Sequence, residues 1–113
     1  NPSLVGSEMC IRDRIKIFVR TFPSTEDCEL FESILETRWP NLLQQVKGVR
    51  FRAMKNPQTP NVSVVLWEFP DNDSMKKIEK LIEENIAKYV KTLAPKTVHF
   101  VGAVTQDFGE TSF

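Results

Sequence analysis

Histidine is nearly absent from this chain: His99 is the only one among 113 residues. A multi-histidine metal centre is therefore excluded, and a Ser-His-Asp constellation could be built only around that residue. Cysteine is scarce as well. Cys10 and Cys28 are too few for a disulfide framework, and no Cys-x-x-Cys spacing occurs. That points to a reducing cytoplasm and away from a metal site. Net charge is missing, fifteen Lys plus Arg offsetting fifteen Asp plus Glu, so no global field draws the chain to nucleic acid or a membrane surface. No apolar run approaches the length that spans a bilayer.

What the chain does have is length for one compact domain and one unusually apolar stretch, NVSVVLWEFP from Asn61 to Pro70. Val62, Val64, Val65, Leu66, Trp67 and Phe69 fall within eight residues, with turn-forming residues on both sides (Asn56 to Pro60, then Pro70 to Asp73). Neither alternating set is polar, the pattern of a central strand buried on both faces.

The first fourteen residues, NPSLVGSEMCIRDR, lack the apolar segment of a signal peptide. They resemble the translated sequencing-adapter read-through that precedes fragments assembled from environmental DNA, a metagenomic source. Residues 1–14 are accordingly expected to be a non-native or disordered tail, with Met9 and Cys10 outside the functional protein. Ile15 to Phe22 alternates as a first strand. Pro23 ends it, Ser24 caps a helix carrying Glu26 and Asp27 in its first turn, and Pro40 is expected to break or kink that helix after Trp39. Val46 to Lys55 alternates again and forms a long-looped hairpin with Val62 to Phe69. Asp73 or Ser74 is expected to cap a second helix, Met75 to Leu93, with apolar residues spaced by three and four. Pro95 stops it, Lys96 to Val104 is a last strand, and residues 105–113 form a polar tail.

The order strand, helix, strand, strand, helix, strand predicts an α+β, ferredoxin-like βαββαβ domain over residues 15–104. Its four-stranded antiparallel sheet has the first and third strands central and both helices on one face. Uniform apolarity assigns Ile15, Ile17, Val19, Val49, Phe51, Val62, Val64, Leu66, Val98 and Phe100 to the face beneath the helices. The uncovered face then carries Phe18, Arg20, Phe22, Arg50, Arg52, Ser63, Val65, Trp67, Phe69, His99 and Val101. A face that apolar needs a cover. A second copy is the simplest one, two sheets closing into an eight-stranded barrel whose interior side chains fill or which holds one small ligand.

Val46-Lys47-Gly48-Val49 and Leu66-Trp67-Glu68 give the chain a resemblance to the dimeric α/β-barrel superfamily, and within it to the antibiotic-biosynthesis-monooxygenase-like proteins. That group commonly starts one strand with Pro-Gly-hydrophobic and ends another in Trp-Glu before the second helix. The resemblance covers about Ile15 to Val104. It implies a homodimer through the open sheet face and, for the enzymes of the group, oxidation of a phenolic or quinol-type molecule without a cofactor. Trp67 matches the strand tryptophan that lines the reactive cavity in several members. Lys77 stands where the haem-degrading members place an iron-ligating histidine, and Ser63 where an asparagine is sometimes found. In several of those enzymes the cavity lies between sheet and helices of one protomer, whereas alternation puts Trp67 on the other face.

On that basis Trp67 and His99 are the candidate catalytic residues, with Arg20, Arg52, Ser63, Phe18 and Phe69 as candidate substrate-binding residues and no metal. Trp67 reads equally as barrel packing. His99 serves as a general base or oxyanion donor, or is a structural histidine. Arg20 and Arg52 clamp a carboxylate or phenolate, or form ion pairs between protomers with Glu68, Asp107 or Glu110. Cys28, without basic neighbours, reads as a small buried apolar residue. Three classes remain: a cofactor-independent monooxygenase, a non-catalytic dimeric ligand-binding or stress-associated barrel, and, remotely, an RNA-recognition module. The third would need a glycine and a stacking aromatic in Val62 to Phe69 before Trp67, and neither is there. An acylphosphatase-like phosphate cradle is missing too, since no glycine-rich loop with an arginine follows the first strand.

Overall fold

The computed structural model describes residues 14–109; residues 1–13 of the tail expected over 1–14, and residues 110–113, lie outside them, while Arg14 belongs to the first strand. Four strands form one antiparallel sheet: β1 (Arg14–Thr21), β2 (Arg50–Met54), β3 (Val62–Phe69) and β4 (Lys96–Ala103). Their spatial order is β2-β3-β1-β4, so the first and third strands are central, as the connectivity predicts. Helix α1 (Thr25–Leu42) joins β1 to β2, and helices α2 (Asn72–Asn85) and α3 (Ala87–Leu93) join β3 to β4. The result is the ferredoxin-like βαββαβ arrangement, with Lys16 of β1 reaching Glu79 of α2 at 2.8 Å across the layer.

Local chemistry sets the helix limits. The Ser24 hydroxyl accepts the Asp27 N–H at 3.1 Å and opens α1. Of the break or kink expected at Pro40, the break does not occur. That proline sits inside the last turn of α1, where it removes one ladder bond, and the chain continues to Leu42 before a 3-10 turn over Leu43–Gln45. The second helix starts earlier than expected: Asp71, not Asp73 or Ser74, is the cap, its Oδ1 accepting the Ser74 N–H at 2.7 Å. Hydrogen bonding from Ser74 holds the Asp71 carboxyl below its ordinary value. The helix is also interrupted, at buried Ile86, where φ is −116°. β2 is shorter than Val46 to Lys55 because Gly48, at φ +80°, turns the chain before pairing begins at Arg50.

The two sides of the sheet are the reverse of the expectation for three strands. Ser63, Val65, Trp67 and Phe69 are buried, and they pack with Phe31, Leu35 and Trp39 of α1 and Ile78 of α2. Val62, Val64 and Leu66 point to the uncovered face, in register with Thr21, Val19 and Ile17. In the same register Phe18, Arg20 and Phe22 fall beneath the helices, and on β4 so does the side carrying His99 and Val101, while Val98 and Phe100 face outward. Only β2 keeps its expected sides, Phe51 inward and Arg50 and Arg52 outward.

The physical reason is volume. The layer between sheet and helices is deep enough for Trp39, Trp67, Phe22, Phe31 and Phe69. The β-branched residues instead tile the flat outer face. The signal was available in β2, where Arg50 and Arg52 leave Phe51 as the inward residue, and Phe51 pairs directly with Trp67. Cys28 is fully buried in this core, as read, and burial pushes its thiol up.

Candidate functional site

Beneath the helices, β1 and β3 present a short polar pair inside an aromatic shell. Arg20 and Ser63 are direct cross-strand partners. Arg20 is 5% exposed and Ser63 fully buried. The Arg20 guanidinium lies 4.4 Å from the Phe18 ring centre and 5.0 Å from that of Phe31, and among the described residues no carboxylate pairs with it. Its Nε and the Ser63 Oγ are buried without a hydrogen-bond partner. Desolvation with no acid to offset it pushes the Arg20 pKa down to about 10, so the group is still a cation at neutral pH. Buried charges are normally paired. Among the described residues this one has the Phe18 and Phe31 ring faces and the Ser63 strand position beside it.

Trp67 forms the wall next to that pair. Its ring stands edge-on to Trp39 at 4.7 Å, is tilted against Phe51 at 4.8 Å and stacks with Phe69 at 6.0 Å. Phe18, Arg20, Leu35, Trp39, Phe51, Val65, Trp67, Ile82 and Ile86 enclose a cavity of about 10 Å³, room for roughly one water. A larger groove of about 570 Å³ runs outside it between α1 and β2, within the size range of small-molecule sites. Leu35, Trp39 and Phe51 line both spaces and form the partition between them. Apolar Pro40, Leu43 and Ala53 extend the groove floor, and Glu29, Glu32 and Glu36 stand on its rim.

Of the residues singled out from the sequence, Trp67, Arg20 and Phe18 share the small cavity, and Ser63 adjoins it across the strands. Phe69 is buried behind Trp67 and outside the cavity lining. Arg52 is on the opposite face of the sheet, ion-paired with Glu68 of the same chain. His99 is on the helix side of edge strand β4 but exposed, 6.1 Å from the Phe18 ring and outside the cavity. Sequence reasoning missed Leu35, Trp39 and Phe51 as the partition. Trp39 continues the buried line Cys28, Phe31, Leu35 along α1, a spacing that points it at the sheet. Among the described residues no three His, Cys, Asp or Glu side chains gather to form a metal site, and no helix is long and apolar enough to cross a membrane.

The architecture is that of the dimeric ferredoxin-like and antibiotic-biosynthesis-monooxygenase-like proteins, the fold class the strand motifs resemble. A dimeric ferredoxin-like protein from an uncultured marine organism superposes with a TM-score of 0.74 at 17% identity, covering 94% of this chain and 99% of the other. A protein from Deinococcus radiodurans assigned to the antibiotic biosynthesis monooxygenases gives 0.71 at 11% identity, covering 88% and 99%. SnoaB from Streptomyces nogalater, a cofactor-independent oxygenase, gives 0.60 at 17% identity, covering 87% and 99%. Likeness at these identities is a likeness of fold. No protein-family model matches the sequence, and no curated protein matches it.

Proposed function

We propose that this protein is a homodimer closed through its uncovered sheet faces, and that each protomer binds a small anionic aromatic molecule between sheet and helices. The observation that carries the binding site is Arg20: a buried guanidinium beside an orphaned Ser63 hydroxyl and a tryptophan wall, with no acid of its own among the described residues. An oxyanion on the ligand supplies the missing charge, and Ser63 donates to it. The aromatic body lies in the groove against Trp39, Phe51 and Leu43, and the partition of Leu35, Trp39 and Phe51 swings aside on binding to let the anionic end reach Arg20.

That geometry suits cofactor-independent oxidation of a phenol or quinol, and SnoaB, of like fold, is a cofactor-independent oxygenase. A phenolate removed from water and held by Arg20 is electron-rich and meets dioxygen in an apolar shell. One oxygen atom enters the substrate and the other leaves as water, with all electrons drawn from the substrate. Trp67 walls the small cavity and excludes solvent from the anionic end. His99, exposed on β4, has no part in this site.

The test is oxygen uptake with a panel of quinols and polyphenols, beside equilibrium binding of a phenolate. Arg20→Met is expected to abolish both while leaving the circular-dichroism spectrum unchanged, and Trp67→Phe to lower uptake about tenfold. Binding that depends on Arg20 without oxygen uptake would make the protein a ligand-binding barrel. If Arg20→Met binds the phenolate as the native chain does, the site is elsewhere and the proposal is wrong.

A further inference from the structure

Three glutamates of α1, Glu29, Glu32 and Glu36, stand on the rim of the groove between α1 and β2. Spacings of three and four put them on one face of the helix, about 10 Å from first to last. Only the middle one is neutralised: Glu32 is paired with Lys55 at 2.9 Å. Glu29 and Glu36 are exposed, and among the described residues neither has a cationic partner. No lysine or arginine lines the groove. Its inner wall of Leu35, Trp39 and Phe51 backs onto Arg20 and Ser63, whose Nε and Oγ are buried without a partner. The space is therefore polarised, with an unpaired cation behind its inner wall and two unpaired carboxylates at its mouth.

From this polarity we infer that the ligand is a phenol carrying a basic nitrogen at the end remote from its hydroxyl, an aminoalkyl phenol in the simplest case. This rests on the Arg20 site proposed above. With the oxyanion on Arg20 and the ring on the apolar floor, the ammonium meets Glu29 and Glu36 at the mouth. A neutral phenol gains the same burial and nothing at the rim. A ligand with a carboxylate at its far end is repelled there, so the glutamates select by rejection as well as by attraction. The same field draws a cationic ligand towards the mouth, an attraction that salt weakens.

The test is equilibrium binding at low ionic strength of three ligands that share one phenol body and differ at the far end. Tyramine ends in an ammonium, para-ethylphenol in a methyl and para-hydroxyphenylpropionate in a carboxylate. Tyramine is expected to bind about tenfold more tightly than para-ethylphenol, and para-hydroxyphenylpropionate about tenfold more weakly. Glu29→Gln together with Glu36→Gln is expected to bring all three within about threefold of one another. Equal affinity of the native chain for the three would overturn the selection at the rim and leave the Arg20 site standing. A tyramine preference that survives the double substitution would overturn it as well. An Arg20→Met chain that keeps native affinity and the tyramine preference would overturn the Arg20 site and leave the rim as the selector. A native chain that binds none of the three would overturn both.

Discussion

Strands β3 and β4 are the same length and are both apolar on two sides, yet they end in opposite environments. In β3 every second residue is buried, Ser63, Val65, Trp67 and Phe69 all at 2% exposure or less. In β4 only Gly102 is partly covered, and Val98 and Phe100 stand 62% and 66% exposed. The difference comes from neighbours. β3 lies between β1 and β2 with helices above it, whereas β4 has one neighbour and the helical layer ends short of it. Among the described residues nothing covers the outward side of β4.

Placing one charge on each strand breaks that contrast most forcefully. Val65→Asp buries a carboxylate against the aromatic core, with an expected cost of several kcal/mol that removes cooperative thermal unfolding. Val98→Asp is expected to change the protomer's stability by less than about 0.5 kcal/mol but to shift sedimentation from dimer to monomer. A Val98→Asp chain that remained dimeric would show that the open face is not the dimer face.

A smaller effect separates the covered site from its edge. Burial pushes the Arg20 pKa down to about 10, which disfavours the native state by on the order of 3 kcal/mol at neutral pH. The sign is that of a buried cation: the penalty is full below about pH 10 and is relieved as pH rises from there towards the ordinary arginine value. Arg20→Leu is expected to raise stability by about 1–2 kcal/mol, part of the gain being lost with the stacking on Phe18 and Phe31. It also abolishes phenolate binding. His99→Ala on β4 should change neither. A destabilised Arg20→Leu chain in chemical denaturation would mean that the guanidinium is not a cost to the fold.

The connectivity of the fold is legible in the residues, because alternation, capping serine and proline positions fix the order of elements and the central pair. The inside and the outside of the sheet are not. Val62, Val64 and Leu66 are as apolar as Val65, Trp67 and Phe69, so hydropathy alone cannot choose between them. Cross-strand register can, since the inward side of β2 is unambiguous at Phe51 and its partner is Trp67. That inversion moved Arg20, Ser63 and Trp67 from a proposed dimer face into the protomer, and left Arg52 with Glu68 outside. The partition of Leu35, Trp39 and Phe51 is a tertiary feature of two elements seven or more residues apart in sequence, and no local pattern announces it.

The smallest effect concerns how each strand is approached. β3 is anchored before it begins: the Asn61 carbonyl accepts the Phe22 N–H at 2.8 Å, and the Asn61 amide donates back to the Phe22 carbonyl at 3.1 Å. β4 is approached through Ala94, whose φ of 51° and ψ of 51° are left-handed, an arrangement closed by its N–H on the Val90 carbonyl at 2.8 Å. A Cβ in that region is crowded by the carbonyl oxygen, a strain of about 1–2 kcal/mol that glycine escapes. Glycine also gains freedom in the unfolded chain, which offsets part of the relief. Ala94→Gly is therefore expected to stabilise the protomer by about 0.5–1 kcal/mol, read as a melting temperature higher by roughly 2–8 °C at fixed protein concentration. Because the change touches neither the open face nor the groove, dimer dissociation and phenolate binding should stay as they are. A lower melting temperature would mean that the turn into β4 is not held left-handed, and that this strand's direction is set by its cover instead of by the chain that leads into it.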